Sequence, residues 1–125
     1  MFFLKFKTFI RMNAVVETFI KDNSLEWDKV NDLVERKIMA YDESLMLVKA
    51  AFKTGGIGLI HHHYHSQITH IESGVFDVTI GEETKRLQAG DSFYIPPNMP
   101  HGATCIESGL LIDVFSPMRE DFVEK

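Results

Sequence analysis

The chain has 125 residues, 45% of them apolar, and a formal net charge of -5. That length suits one domain with one core, and the acidic balance leaves no general basic field for nucleic acid or an anionic lipid surface. Its one cysteine, Cys105, excludes an internal disulfide and a cysteine-based zinc site, and fits a reducing compartment, so the expected location is cytoplasmic.

Residues 1–11 read MFFLKFKTFIR. Lys5 and Lys7 interrupt the apolar run and no clear small-residue cleavage site follows. A signal peptide is therefore the weaker reading, and Met12 is an alternative start. No run approaches ~18 apolar residues, so no membrane span is expected. Residues 1–32 are mixed in character and are read as an N-terminal extension packing on the domain. A helix is placed in this extension at 13–20 or at 27–34.

From Leu33 to the end, residues 33–125, short apolar or alternating runs are separated by Gly, Pro, Asn and Asp. Strands are expected at 34–41, 45–52, 57–63, 67–72, 75–80, 84–87, 92–95, 101–106 and 110–115. Turn signals stand between them, including Ser73-Gly74, Pro96-Pro97-Asn98 and Ser108-Gly109. Ile80-Gly81-Glu82-Glu83 suits a two-residue hairpin with Gly at the first central position. About nine short strands at regular spacing imply an all-β sandwich or barrel.

His61, His63, His65 and Gln67 fall at alternate positions, which an extended strand would place on one face. Each imidazole must satisfy two ring nitrogens. Packing several together is explained by a metal, for which neutral imidazole is the commonest ligand. The plainer alternative is an exposed histidine-rich loop. A purification tag is disfavoured, because the run is internal and flanked by apolar strands.

Spacing sharpens this reading. Gly55, five residues, His61-x-His63, three residues, Gln67, six residues, Gly74 resembles the first motif of the cupins, with Gln67 where Glu is usual. Gly90, five residues, Pro96-x-Asn98, two residues, His101 resembles the second, with Asn98 where Gly is usual. Asn tolerates φ > 0 better than other non-Gly residues, so the turn can survive. The resemblance implies a double-stranded β-helix, the cupin jelly-roll barrel, with a ligand pocket. It also implies one divalent metal held by His61, His63, Gln67 and His101. This donor set suits Ni, Mn, Fe, Co or Zn without choosing among them. All four ligands are neutral, so the ion keeps its full charge and favours an anionic ligand. His65 and His70 are read as surface residues or as supports for the ligands.

A narrower resemblance is carried by KIMAYDESLMLVKAAF, HHHYHSQITHIESGVFDVTIGEE, AGDSFYIPPNMPHGATC and LLIDVFSPMREDF. These stretches look like the small cupins of pectin and alginate degradation that linearise 4,5-unsaturated uronates. That likeness implies ring opening and ketonisation to a linear 5-keto-4-deoxyuronate, an isomerase-like reaction on a small anionic sugar, by a homodimer. Asp113 and Arg119 match residues that serve in this group's active site, and Phe115 matches an aromatic lining position. On its own, Asp113 inside the apolar run 110–115 has a structural ion pair as its plainer alternative, since burying it unpaired is costly. A metal-dependent dioxygenase and a non-catalytic sugar- or ligand-binding module are the rival functions.

Overall fold

The computed structural model describes residues 17–124. Eight strands form the fold: β1 (Asp28–Asn31), β2 (Val34–Tyr41), β3 (Met46–Phe52), β4 (Ile57–His61), β5 (Ser66–Ile80), β6 (Glu83–Gln88), β7 (Ser92–Ile95) and β8 (His101–Ser116). A 3-10 turn precedes them at Asp22–Ser24, and a one-turn helix, α1 (Glu120–Val123), follows. All pairings are antiparallel, in the order β1-β2-β3-β8-β5-β6, with β4 also on β8 and β7 also on β5.

The two long strands organise everything else. The first half of β5 pairs with β7 and with the second half of β8, from Ser66↔Ser116 to Ile71↔Leu111. The second half of β5 pairs with β6 and with the first half of β8, from Val75↔Glu107 to Ile80↔His101. Each long strand thus belongs to two sheets, β1-β2-β3-β8-β5-β7 and β4-β8-β5-β6, whose inner faces oppose one another. This is the jelly roll the sequence led us to expect.

Sequence reading split each long strand in two, at Ser73-Gly74 and at Ser108-Gly109. Those glycines are not hairpin turns. They meet each other where the paired strands bend between sheets: a Cβ on Gly109 would lie 2.0 Å from the Ser73 carbonyl oxygen. Bulges there shift the phase of β5, so that Gln67, Thr69 and Ile71 point inward before the bend and Phe76 and Val78 after it. The expected two-residue hairpin is present, with Ile80 opposite Glu83 and Gly81 at φ +64.

The helix placed at 27–34 is corrected to a strand hairpin, β1 to β2. Asn31 turns the chain by accepting the Leu33 N–H on Oδ1 at 2.8 Å, a local bond that favours turns over helices. Of the alternative helix at 13–20, residues 13–16 lie outside the described residues, and 17–20 carry no helix. Asp22 reaches β2 and β3, pairing with Lys37 at 3.2 Å and Lys49 at 2.9 Å. Lys37 is buried there, its charge met by Asp22 and by the Trp27 ring.

Two apolar clusters fill the interior. One gathers Val34, Ala50, Ile71, Val78 and Leu111 around the edge-to-face rings of Phe52 and Phe76, 5.4 Å apart. The other, Met46, Val48 and Phe115, is closed by Met118 and Phe122 from the C-terminal tail. No helix among the described residues is long and apolar enough to cross a membrane.

Candidate metal centre and its cavity

The strand expected at 57–63 ends at His61. The four alternating residues therefore do not share one strand; an irregular segment gathers them. His61 sits directly across from His101 on β8, ring centroids 4.5 Å apart. His63 follows in the segment, held from outside the first motif, because Asn98 donates its N–H to the His63 carbonyl at 2.7 Å. Asn98 takes φ 65, the conformation expected of it. The second motif's turn thereby fixes a residue of the first.

Possible ligand atoms of His61, His63 and His101 all lie within 4.8 Å of one another. His61 and His101 each direct Nδ1 at a backbone carbonyl two residues earlier, Leu59 and Met99, both at 2.8 Å. A carbonyl only accepts, so both rings carry their proton on Nδ1 and leave the Nε2 lone pair for a cation. Burial, then the charge of Arg119, pushes His63 down to about 4, and burial also lowers His101. Both rings stay neutral near neutral pH, the form that ligates. Gln67, on β5, places Oε1 3.1 Å from His63 Nε2. Two donors on adjacent corners, each about 2.1 Å from one cation, stand about that far apart. The residues present fit a divalent ion bound by three imidazoles and an amide oxygen.

The cluster opens into a cavity of about 260 Å³ lined by His61, Gln67, His101, Asp113, Phe115 and Arg119. That is small among ligand pockets, which run to ~1,000 Å³, and suits a single sugar. A wider groove of about 530 Å³ elsewhere is lined by Phe19, Leu25 and Tyr41 and holds none of these residues.

Asp113 lies across from Thr69 in the β5–β8 ladder, and Phe115 across from Gln67. Thr69 donates its hydroxyl proton to Asp113 Oδ1 at 2.5 Å and accepts from Gln67 Nε2 at 2.9 Å. A one-way chain of donors thus runs from the amide beside His63 to the carboxylate. Glu at 67 could not supply the first donor. Burial pushes Asp113 up to about 6, against the lowering effects of Thr69 and the nearby arginines.

After a cis Ser116–Pro117 bond the tail turns back over the cavity. Arg119 is buried, 5.2 Å from the Phe115 ring centroid and 4.2 Å from that of Phe122. Its Nε and Nη2 donate to both oxygens of Asp121, at 3.0 and 2.9 Å. His65 is buried beneath this tail, its Nε2 donating to Glu120 Oε1 at 3.0 Å and to the Met118 carbonyl at 3.1 Å. Tyr64 donates a short hydrogen bond to the other Glu120 oxygen. His70 faces outward and bonds Ser92 Oγ at 3.0 Å.

Three residues of the site escaped the sequence reading: Arg36 and Phe122, which line the cavity, and Thr69, which is buried behind it and holds Asp113. Alternation could have found two. Arg36 shares the inward face of β2 with Val34, and Thr69 shares that of β5 with Gln67. Phe122 follows a turn whose course no periodicity gives.

Comparison with known proteins agrees with this geometry. The cupin domain family model matches residues 48–115, more than half of the chain. The pectin degradation protein KdgF of Dickeya dadantii is 38% identical over 104 residues, 82% of this chain and 94% of that protein. An RmlC-like cupin from Shewanella frigidimarina superposes with a TM-score of 0.83 at 40% identity, over 85% of this chain and 96% of that one. The structure of KdgF from Halomonas sp. does so with a TM-score of 0.81 at 37% identity, over 85% and 98%.

Proposed function

This chain belongs to the cupin domain family, and we propose that it is a metal-dependent enzyme that opens the ring of 4,5-unsaturated monouronates from pectin or alginate. The product is the linear 5-keto-4-deoxyuronate. One observation carries the reading. In a chain 38% identical to a pectin degradation protein, a carboxylate and an arginine face a three-histidine cluster across a sugar-sized cavity.

A divalent ion on His61, His63, Gln67 and His101, whether Ni, Mn, Fe, Co or Zn, would stabilise negative charge developing on substrate oxygens. The remaining work falls to the chain. The reaction is an isomerisation: the anomeric hydroxyl loses a proton, the bond from that carbon to the ring oxygen breaks, and the alkene carbon gains a proton. One carboxylate can make both transfers if its two forms lie close in energy near neutral pH. Asp113, pushed up to about 6, meets that condition. Thr69 holds its Oδ1 and so fixes the carboxylate's orientation. Phe115 supplies an apolar wall for the sugar, and Arg119 offers substrate oxygens the donors that Asp121 leaves free. The enzyme is further proposed to act as a cytoplasmic homodimer, the assembly being checked by light scattering.

The test is direct. Purified protein mixed with unsaturated galacturonate should remove the alkene absorbance well above the spontaneous rate, and the product should carry an aldehyde and a ketone. Loss of absorbance at only the spontaneous rate, with metal bound, would sink the proposal. An oxygen electrode separates it from a dioxygenase, which must consume oxygen on turnover.

A further inference from the structure

The cavity holds a second arginine. Arg36 lies on β2, and the ladder sets it beside Ala50, which in turn faces Leu111 on β8. All three line the cavity. Ala50 offers only a methyl group, so the long Arg36 side chain has room to run across the sheet. It reaches the tail, where its Cζ stands 3.7 Å from the Phe122 ring centroid. Arg119 packs on that same ring at 4.2 Å. Phe122 therefore joins two guanidinium groups in one wall.

The two differ in what already holds them. Arg119 spends Nε and Nη2 on the Asp121 carboxylate, a two-point ion pair. Asp28 stands across from Arg36 in the β1–β2 ladder, but none of the ion pairs or side-chain hydrogen bonds between described residues engages the Arg36 guanidinium, which lies over the face of the Phe122 ring. Such a contact satisfies part of a cation's charge but none of its N–H donors. The cavity thus presents one fork already filled by a carboxylate and one open to receive it.

From this difference we infer that Arg36, rather than Arg119, is the residue that recognises the substrate's carboxylate, and so sets the preference for uronates over neutral sugars. The inference rests on the uronate reading above and names the residue behind its anion selectivity. A planar fork matches a carboxylate at two points, which a lysine cannot do. Arg119 then serves the sugar's other oxygens and the packing of the tail. Burial and then the like charge of Arg119 lower the Arg36 pKa against the raising effect of the Asp121, Asp28 and Asp113 carboxylates, and a substrate anion at the guanidinium would add to that compensation.

The test uses saturated galacturonate and galactose, which differ by the carboxylate and do not react. Each is titrated by calorimetry into wild type, Arg36→Met and Arg36→Lys, with folding followed by circular dichroism. Wild type should prefer galacturonate. Arg36→Met should lose roughly ten- to hundredfold in galacturonate affinity, the scale of one charged hydrogen-bonded contact, and little for galactose. Arg36→Lys should fall between, keeping charge without the fork. Equal losses on both sugars would assign Arg36 to tail packing alone and overturn the inference, as would unchanged galacturonate binding in a folded Arg36→Met protein or no preference in wild type. Discrimination that follows Arg36 while unsaturated uronates are not turned over would leave this assignment standing and remove the proposed reaction.

Discussion

The cavity has two walls, and they come from very different stretches of chain. The histidine wall draws His61, His63 and Gln67 from one short segment and adds only His101 from elsewhere. The acid–arginine wall draws Arg36 from β2, Asp113 from β8 and Arg119 from the tail, with Thr69 of β5 buried behind Asp113. A short segment can fix the spacing of its own side chains by local backbone bonds. The dispersed wall is put together by the β2-β3-β8-β5 ladder and the tail that follows β8, and the bend of β5 and β8 at Gly74 and Gly109 turns the sheet of His61 and His101 to face it. The first wall is suited to hold an ion, the second to read and protonate whatever approaches it. If that division is real, substitutions in one wall should leave the other's property intact.

The largest effect is expected from His101→Ala. His101 is buried and supplies the donor that closes the cluster from β8, the strand paired with His61. Its loss should strip most of the metal, read by elemental analysis, and lower turnover by about a hundredfold or more. Full metal content in a folded triple alanine variant at 61, 63 and 101 would show that the histidines hold no ion.

Asp113→Asn tests the opposite wall. It keeps shape and removes the proton carrier, so turnover should drop about a hundredfold while metal content stays at the wild-type level. An active, folded, metal-loaded Asp113→Asn protein would return Asp113 to a structural role. Acid pH should mimic this variant. As pH falls through the carboxylate's pKa, near 6 before the ion's own lowering effect, Asp113 binds a proton and the base that starts the reaction is lost. The rate should therefore decline on the acid side.

Gln67 stands between the walls, so Gln67→Glu sharpens the comparison rather than breaking it. The new charge should keep or tighten metal binding. It also removes the Nε2 donor to Thr69 and sets a second carboxylate near Asp113. Like charge disfavours ionisation, so the acid limb of the rate profile should move to higher pH, and an anionic sugar should bind more weakly. Unchanged sugar affinity and an unmoved limb would mean the neutral amide tunes neither wall.

The same contrast explains what the sequence revealed. Both glycine-spaced histidine motifs are local, and they led to the jelly roll and to the residues that cluster here. Asn98, Gly81 and the inward alternation of Gln67 could likewise be read from neighbours alone. The long strands were read as four because a bend and a turn use the same residues, and only the partner strand distinguishes them. The meeting of Arg36 and Phe122 was missed because it depends on where the tail lands, after a turn that follows β8, two strands from β2 in the sheet order. Lys37 gave no sign of burial, since its cover comes from Asp22 and Trp27 in a segment with no clear pattern.

The smallest expected effect concerns how that tail is held. Glu120 accepts from Tyr64 on one oxygen and from His65 on the other, tying the residue after Arg119 to the histidine segment. This latch is a second side-chain link between the two walls, beside the Gln67–Thr69–Asp113 chain. Glu120→Ala removes it, and the partly exposed site makes the loss modest, about 0.2–1 kcal/mol for such a pair. Arg119 would still be pinned by Asp121 and by the Phe115 and Phe122 rings. The expected outcome is a KM raised by up to about fivefold, the upper end of that range, with kcat and metal content nearly unchanged. Glu120→Gln should recover part of the affinity, because its one carbonyl oxygen can accept from His65 while its amide donates to the Tyr64 hydroxyl. A fall in metal content in Glu120→Ala would instead mean that the tail supports the histidine cluster itself, and the two walls could no longer be treated as separable.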